Sequence, residues 1–251
     1  NTYATRSLRN EVVELAWHHG VPARCVWLDT SLADAQVNAV QRIVRRYGGL
    51  PSVAELAKLN KGDPQAFAPR AQFRFERELE PPQPDEGFTQ IERVPFVRRA
   101  HAGDGSALIV QLEVLRASVS GARSPLDADD LRVRRERGAL LRARDERLLA
   151  FSWQPHVTSR ERTNEQIEQL ARLTCERLGV ELEHLFCPHP PGPPICWCRT
   201  PLPGLMVTFV ERHGLDPKRC TVVGRAPADR TLAGRVGMRF VEHDAFFAVV
   251  K

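Results

Sequence analysis

"CPHPPGPPICWCRTPLPGL", residues 187–205, is the stretch on which the reading of this chain turns. It sets Cys187, His189, Cys196 and Cys198 as C-x-H, six residues, then C-x-C. Three thiolates and one imidazole make a complete tetrahedral donor set for zinc. A full set leaves no open position for water, so the metal would be structural. The proline-rich run between the pairs cannot form a helix and lowers the entropy of the unfolded chain, which holds both pairs within reach of one ion. Such a site can contribute roughly 10–16 kcal/mol of apparent binding free energy, enough to decide whether the loop is ordered. The competing reading is a set of reduced, unliganded thiols beside a chance histidine. Ile195 and Trp197 are expected to pack against the rest of the fold.

Outward from the loop, apolar strands alternate with helical spacing. "ALIVQLEVL" (107–115), "RLLAFSW" (147–153), "CTVVG" (220–224) and "MRFVEH" (238–243) read as strands. "LRVRRERGALLRARDE", "NEQIEQLARLTCERLG", "PGLMVTFVERHG" and "DRTLAGRVG" read as helices between them, several stopped by glycine. That rhythm predicts a parallel, doubly wound α/β sheet. The first hundred residues have a different texture: helix "SLRNEVVELAWHHG", a buried strand "ARCVWLD", helix "SLADAQVNAVQRIVRRYGG", a short helix "PSVAELAKLN" and a closing strand "IERVPFVRR". A composition shift at "RAHAGDGS" places a domain boundary there, giving units 1–102 and 103–251.

The chain has 251 residues, 42% hydrophobic and 27% charged, with a formal net charge of +5. These values fit an ordinary globular protein with a core. No run approaches the roughly 18 apolar residues of a membrane span. Only four of the 36 cationic residues are lysines (Lys58, Lys61, Lys218, Lys251), so arginine carries the positive charge. Its planar fork suits phosphate and nucleic acid, while a GC-rich genome would produce the same bias. Arg70, Arg74 and Arg77 fall at i, i+4 and i+7, which puts three guanidinium groups on one helix face. A solvated face and a nucleic-acid contact are both open for them. Cys25, Cys175 and Cys220 read as core fillers, and reduced thiols favour a cytoplasmic setting. His101, His156, His184, His213 and His243 are scattered without ligand spacing.

Strand "ALIV", strand "LLAFSWQ", the loop "CPH…CWCRTPLPG" and strand "TVVG" resemble, in that order, the haloacid dehalogenase (HAD) phosphatases. The zinc-containing subgroup with histidinol and heptose bisphosphate phosphatases is the most similar, together with the phosphatase half of bacteriophage-type polynucleotide kinase/phosphatases. "NTYATR" and "RAQFRFERELEPP" resemble the latter part of a P-loop polynucleotide kinase. The resemblance implies a partial P-loop-kinase-like α/β layer followed by a HAD-like Rossmannoid parallel sheet with a zinc-binding loop. It also implies ancestry in nucleic-acid end repair. No G-x-x-x-x-G-K-[ST] occurs in the sequence, so this kinase-like half cannot bind ATP in the family's manner; that loop would precede Asn1.

The family's chemistry needs an aspartate nucleophile, an aspartate general acid two residues on, a hydroxyl and a lysine on the phosphoryl oxygens, and further aspartates for magnesium. Carried over, the nucleophile falls on Gln111, the general acid on Glu113, the hydroxyl on Ser152, the lysine on Thr200 and a magnesium aspartate on Arg225, with Asp229 as the acidic remnant. An amide is no nucleophile, and losing one typically costs roughly 10⁶ in turnover, about 8 kcal/mol of barrier. The resemblance therefore implies a phosphatase-like module without phosphatase chemistry. Three roles stay open: a scaffold in which Arg225 pairs with Glu113 or Asp229, a non-cleaving reader of phosphate or nucleic-acid ends using Ser152, Thr200 and Arg225 with the arginine trio as guide, and a residual magnesium-dependent phosphatase. A protein partner or an upstream kinase segment is the remaining partner expectation, and no membrane is expected.

Overall fold

The computed structural model describes residues 3–99, 102–116, 131, 133–157, 159 and 162–248. Asn1 and Thr2 of the "NTYATR" stretch, and His101 at the expected boundary, lie outside the described residues, as does the side chain of His156.

Seven strands and nine α-helices are laid down in chain order among the described residues: α1 (Arg6–His18), β1 (Arg24–Asp29), α2 (Leu32–Tyr47), α3 (Val53–Leu59), α4 (Arg70–Glu78), β2 (Gln90–Pro95), β3 (Gly105–Gln111), α5 (Arg135–Arg142), β4 (Arg147–Trp153), α6 (Asn164–Leu178), β5 (Glu183–Cys187), α7 (Gly204–His213), β6 (Leu215–Gly224), α8 (Pro227–Val236), β7 (Arg239–Glu242) and α9 (His243–Ala248). The helices begin and end where local chemistry says they should. Ser31 Oγ accepts the Asp34 N–H at 3.1 Å to start α2, and Gly48 at φ 73° ends it. Ser52 and Glu55 form a reciprocal capping box on α3, and Thr163 and Gln166 do the same on α6.

Five strands form one parallel sheet in the order β5-β4-β3-β6-β7. With β3 as first strand of the sheet, this is the 3-2-1-4-5 order of a doubly wound Rossmann-type fold. Both faces are covered, which explains why "ALIV" reads as a continuous apolar run rather than an alternating one. Ala107, Ile109, Leu149, Phe151 and Val222 face a layer that includes α2, α7 and α8. Leu108, Val110, Ala150 and Val223 face Leu141, Ala171 and Leu178 of α5 and α6. The first layer crosses the composition boundary: Val37, Val40, Ile43 and Val44 of α2 share one core with Phe209, Val210 and Trp197.

Five sequence expectations change. Ile195, expected to pack beside Trp197, stands 36% exposed in the proline-rich loop, while Trp197 is buried. β3 stops at Gln111, and Leu112–Leu115 turn as a single 3-10 helix that buries Leu112, Val114 and Leu115. β5 was not anticipated, because its five residues "EHLFC" start with two polar ones and run into the cysteine loop. Helix α9 was not anticipated either. β1 was expected to be buried, yet Val26 and Leu28 are 51% and 69% exposed. β1 and β2 pair in parallel, and among the described residues no further strand extends that two-stranded sheet.

Candidate functional site

The carboxyl ends of β3, β4 and β6 bring Gln111, Glu113, Ser152, Arg225 and Asp229 to one edge of the sheet, while β5 ends on Cys187. In a doubly wound sheet the strand order reverses between β3 and β6, and ligands bind in the crevice outside that reversal. Gln111 ends β3 and Gly224 ends β6, so the reversal is flanked by Gln111 on one side and Arg225 on the other.

The chemistry gathered there is mostly sealed. Gln154 Nε2 donates to Glu113 Oε1 at 2.9 Å and to Ser152 Oγ at 3.0 Å. Ser152 Oγ lies 2.8 Å from His184 Nε2. This chain of four polar side chains runs from the end of β3 across β4 to β5. Burial pushes the Glu113 carboxyl up, against the pull of Arg116 and, less strongly, Arg225. Burial, reinforced by Arg116, takes the His184 imidazole down to about 3, so it is neutral at physiological pH. Burial also lowers the Arg116 guanidinium, whose Nε donates to Thr174 Oγ1 at 3.2 Å. Gln111 Oε1, Glu113 Oε2 and Arg116 Nη1 are buried without a hydrogen-bond partner among the described residues.

Asp229 is spent differently. Its Oδ2 accepts the backbone N–H groups of Arg225 at 3.1 Å and Ala226 at 3.0 Å, which caps the start of α8. Burial raises its carboxyl while those two N–H groups pull the other way. Gly224 is required beside it, because a Cβ there would sit 2.7 Å from Asp229 Cβ. Arg225 itself is exposed on the turn after β6. No ion pair joins the Arg225 side chain to Glu113 or Asp229 among the described residues. Thr200 is half-buried in the turn after Cys198, and no hydrogen bond joins it to Ser152 or Arg225. Of the three residues assigned to phosphate, Arg225 is the exposed one, and among the described residues its side chain makes no hydrogen bond.

These donors do not suit magnesium, which wants an octahedron of hard oxygens held by one or two carboxylates. An amide stands at the end of β3, the Glu113 carboxyl is desolvated, and the Asp229 oxygen is committed to two N–H groups.

The cysteine loop does suit a metal. Ligand atoms of Cys187, His189, Cys196 and Cys198 all lie within 4.8 Å of one another. A zinc ion about 2.3 Å from each thiolate sets tetrahedral sulfurs about 3.8 Å apart. The Cys187 and Cys196 sulfurs stand 3.8 Å apart, and His189 Nδ1 lies 3.6 Å from Cys187 Sγ and 3.2 Å from Cys198 Sγ. The crowded thiols share charge: hydrogen bonding to Cys196 pushes Cys187 up to about 12, Cys198 rises further, and Cys196, which receives from both, falls. A divalent cation would take the place of those shared protons. The loop is fastened on all sides. Arg199 donates to the carbonyls of Pro190 and Gly192, each at 2.6 Å. Trp153 Nε1 donates to the His189 carbonyl at 2.8 Å, and the Gln154 N–H to the Cys187 carbonyl at 2.8 Å. The cluster thus holds the end of β4, where Ser152 and Gln154 sit.

Arg70, Arg74 and Arg77 are all exposed on α4, and Arg74 is tied to Glu78 at 3.1 Å. The opposite face of α4 carries Ala71, Phe75 and Leu79 toward β1. His184 and Arg116 were missed as site residues. His184 sits in a strand that itself was not anticipated, and Arg116 follows a turn where a strand was expected.

No protein-family model matches the sequence, and no curated protein does either. Solved structures do. A D,D-heptose 1,7-bisphosphate phosphatase from B. bronchiseptica, complexed with magnesium and phosphate, is 18% identical over 54% of this chain and 78% of its own, at a TM-score of 0.46. A HAD-like phosphatase from Mesorhizobium loti is 20% identical over 57% and 74%, at 0.47. A D,D-heptose 1,7-bisphosphate phosphatase from Burkholderia thailandensis is 16% identical over 54% and 76%, at 0.36. The structural neighbours are HAD-type phosphatases. The overlap is partial, and the Rossmann-type α/β assignment stands on the chain's own strand order. None of the described helices is long and apolar enough to cross a membrane.

Proposed function

We propose that this chain is a catalytically degenerate, HAD-phosphatase-like module related to polynucleotide kinase/3′-phosphatases. In this reading it is a structural or phosphate- and nucleic-acid-end-binding part of a nucleic-acid repair protein, working in a reducing, cytoplasmic setting and held by one structural zinc on Cys187, His189, Cys196 and Cys198. The observation that carries the reading is Gln111 at the end of β3, facing the strand-order reversal with a buried, unpartnered amide oxygen where a carboxylate would have to attack phosphorus. The sealed Glu113–Gln154–Ser152–His184 chain supports the scaffold role over hydrolysis, since the hydroxyl and the acid are both engaged internally. The exposed Arg225 is what favours end binding as the second role; charge-assisted bonds from a guanidinium to phosphate are strong and need no metal. The N-terminal α/β layer fits the tail of a kinase completed by an upstream segment or a protein partner.

The test is release of phosphate from a 3′-phosphorylated oligonucleotide by the zinc-loaded chain with magnesium. No release above background is expected. Turnover that disappears in Glu113→Gln would refute the reading. For the end-binding role, a 3′-phosphorylated strand should bind more tightly than its 3′-hydroxyl counterpart, and Arg225→Ala should erase the difference. Binding indifferent to salt would remove nucleic acid as a partner.

A further inference from the structure

Residues 190–194 read "PPGPP", so the carbonyls of this stretch share a single N–H, that of Gly192. Such a run can neither coil on itself nor join a sheet, and its carbonyls need donors from elsewhere. It lies between the two ligand pairs of the cysteine loop, and each pair is anchored to a different part of the fold. Cys187 ends β5 and its carbonyl accepts the Gln154 N–H, while the His189 carbonyl accepts Trp153 Nε1. The first pair therefore belongs to the β4–β5 edge. The second pair flanks Trp197, whose indole N–H goes to the Phe67 carbonyl and whose own carbonyl accepts the Gly204 N–H at 2.9 Å. That pair belongs to the start of α7 and the N-terminal layer.

Arg199 spans the gap between them. It follows Cys198 directly, and its Nη1 and Nη2 donate to the Pro190 and Gly192 carbonyls, each at 2.6 Å. One planar group thus holds two carbonyls of the donor-poor run. A guanidinium presents its nitrogens in a rigid fork, whereas a lysine ammonium is a compact point charge on a flexible stem. The two bonds run from the residue after the last cysteine to the residues just after His189. They bring the C-x-H and C-x-C pairs together through bonds that use no ligand atom.

We infer that Arg199 is a positioning residue for the zinc site, its fork closing the proline run so that both ligand pairs face one ion. The inference rests on the zinc of the reading above. Ordering the loop is a cost of binding unless the fold has already met it, and Arg199 moves that cost from the binding step into the fold. Partners outside the ligand set typically contribute about 10–100-fold in metal affinity.

The experiment measures zinc affinity of the full chain by competition with a chromophoric chelator, for the parent, Arg199→Ala and Arg199→Lys. Arg199→Ala should bind zinc about 10–100-fold more weakly. Arg199→Lys should recover little of that, because it keeps the charge and loses the fork. Cobalt(II) in place of zinc gives a second readout. The parent should show the absorption of a tetrahedral, thiolate-rich site, and both variants a weaker band in which water has replaced a protein ligand. A residue that only stiffened the loaded protein would lower Tm and leave both readouts unmoved. Should Arg199→Ala fail to fold, the lysine variant decides alone. Zinc affinity equal to the parent's in either variant, or an unchanged cobalt spectrum, would overturn the inference and leave the zinc assignment standing. A parent that takes up neither metal would overturn the zinc assignment itself, and this inference with it.

Discussion

Trp197 donates its indole N–H to the carbonyl of Phe67 at 2.9 Å, and the two rings meet edge-on with centroids 6.2 Å apart. Trp197 is buried between two proposed ligands, Cys196 and Cys198, so the metal loop and the N-terminal layer are held by the same residue. Whatever orders the loop also orders the seam between the two halves.

Metal removal is therefore expected to reach well beyond the loop. The purified chain should carry one zinc, measured by elemental analysis, and Cys196→Ser or a strong chelator should lower Tm. A loss of about 3 kcal/mol corresponds to roughly 6–12 °C for a chain of this size. Trp197 emission should shift to the red in the same titration. A chain that is zinc-free and retains its Tm would contradict the stapling role.

Glu113→Gln should stabilise the protein at neutral pH. The Glu113 carboxyl is raised by burial, so the folded state resists its ionisation while the unfolded chain does not. A raised acid is least costly below its unfolded pKa of about 4.3, and stability is lost as pH climbs from there toward the folded value. The amide variant keeps an oxygen for the Gln154 bond and removes that loss. Urea midpoints of the two proteins should coincide near pH 4 and separate in favour of the variant at pH 7. A variant weaker at both pH values would show that the carboxylate is ionised and needed.

Gly204→Ala is expected to be among the most damaging conservative changes. A Cβ at that position would lie 2.4 Å from the Trp197 carbonyl oxygen and 2.9 Å from Leu50 Cδ2. Backbone cannot yield as a side-chain tip does, so the start of α7 would have to leave the loop. A cost above about 2 kcal/mol is expected, read as a fall in the urea midpoint. Gly234, which meets nothing within 4 Å, serves as the control for alanine in a helix.

The buried ion pair of the N-terminal layer gives an acid-sensitive signature. Arg9 Nε donates to Glu86 Oε2 at 2.6 Å, with both side chains almost fully buried. The guanidinium holds the Glu86 carboxyl below its usual range, helped by the Gln83 N–H. A depressed acid contributes stability that is complete above the ordinary carboxylate pKa and disappears as pH falls through the lowered value. Arg9→Met alone should cost about 3–5 kcal/mol by stranding the carboxylate, and Arg9→Met with Glu86→Leu should recover most of it. Thermal unfolding of the three proteins at pH 7 decides this; a single variant as stable as the parent would mean the pair is not load-sharing in the fold.

Much of the α/β fold was legible because its signals are local. Ser31, Ser52 and Thr163 mark helix starts by offering an oxygen to N–H groups three residues on, and Gly48, Gly179 and Gly214 mark ends by taking positive φ. The gathering of the three cysteines and His189 was legible for the same reason: only eight residues lie between Cys187 and Cys196, and the prolines among them leave few ways to arrange the four side chains. β5 was illegible, since Glu183 and His184 hide its apolar character and its partner β4 lies thirty-odd residues away. His184 became a site residue only when β5 paired with β4 and set its ring beside Ser152.

From sequence alone came the alternation of strands and helices, the four-ligand loop, and the amide and the glutamate at the end of β3. Those are properties of residue type and short spacing, which covalent geometry carries without help. Tertiary structure alone decided that α2 crosses from one half to lie on α7, that Ser152 turns inward to His184, and that β1 pairs with β2 apart from the five-stranded sheet. Each of these depends on which surfaces meet across long stretches of chain, and burial is settled by that meeting rather than by any residue's own preference.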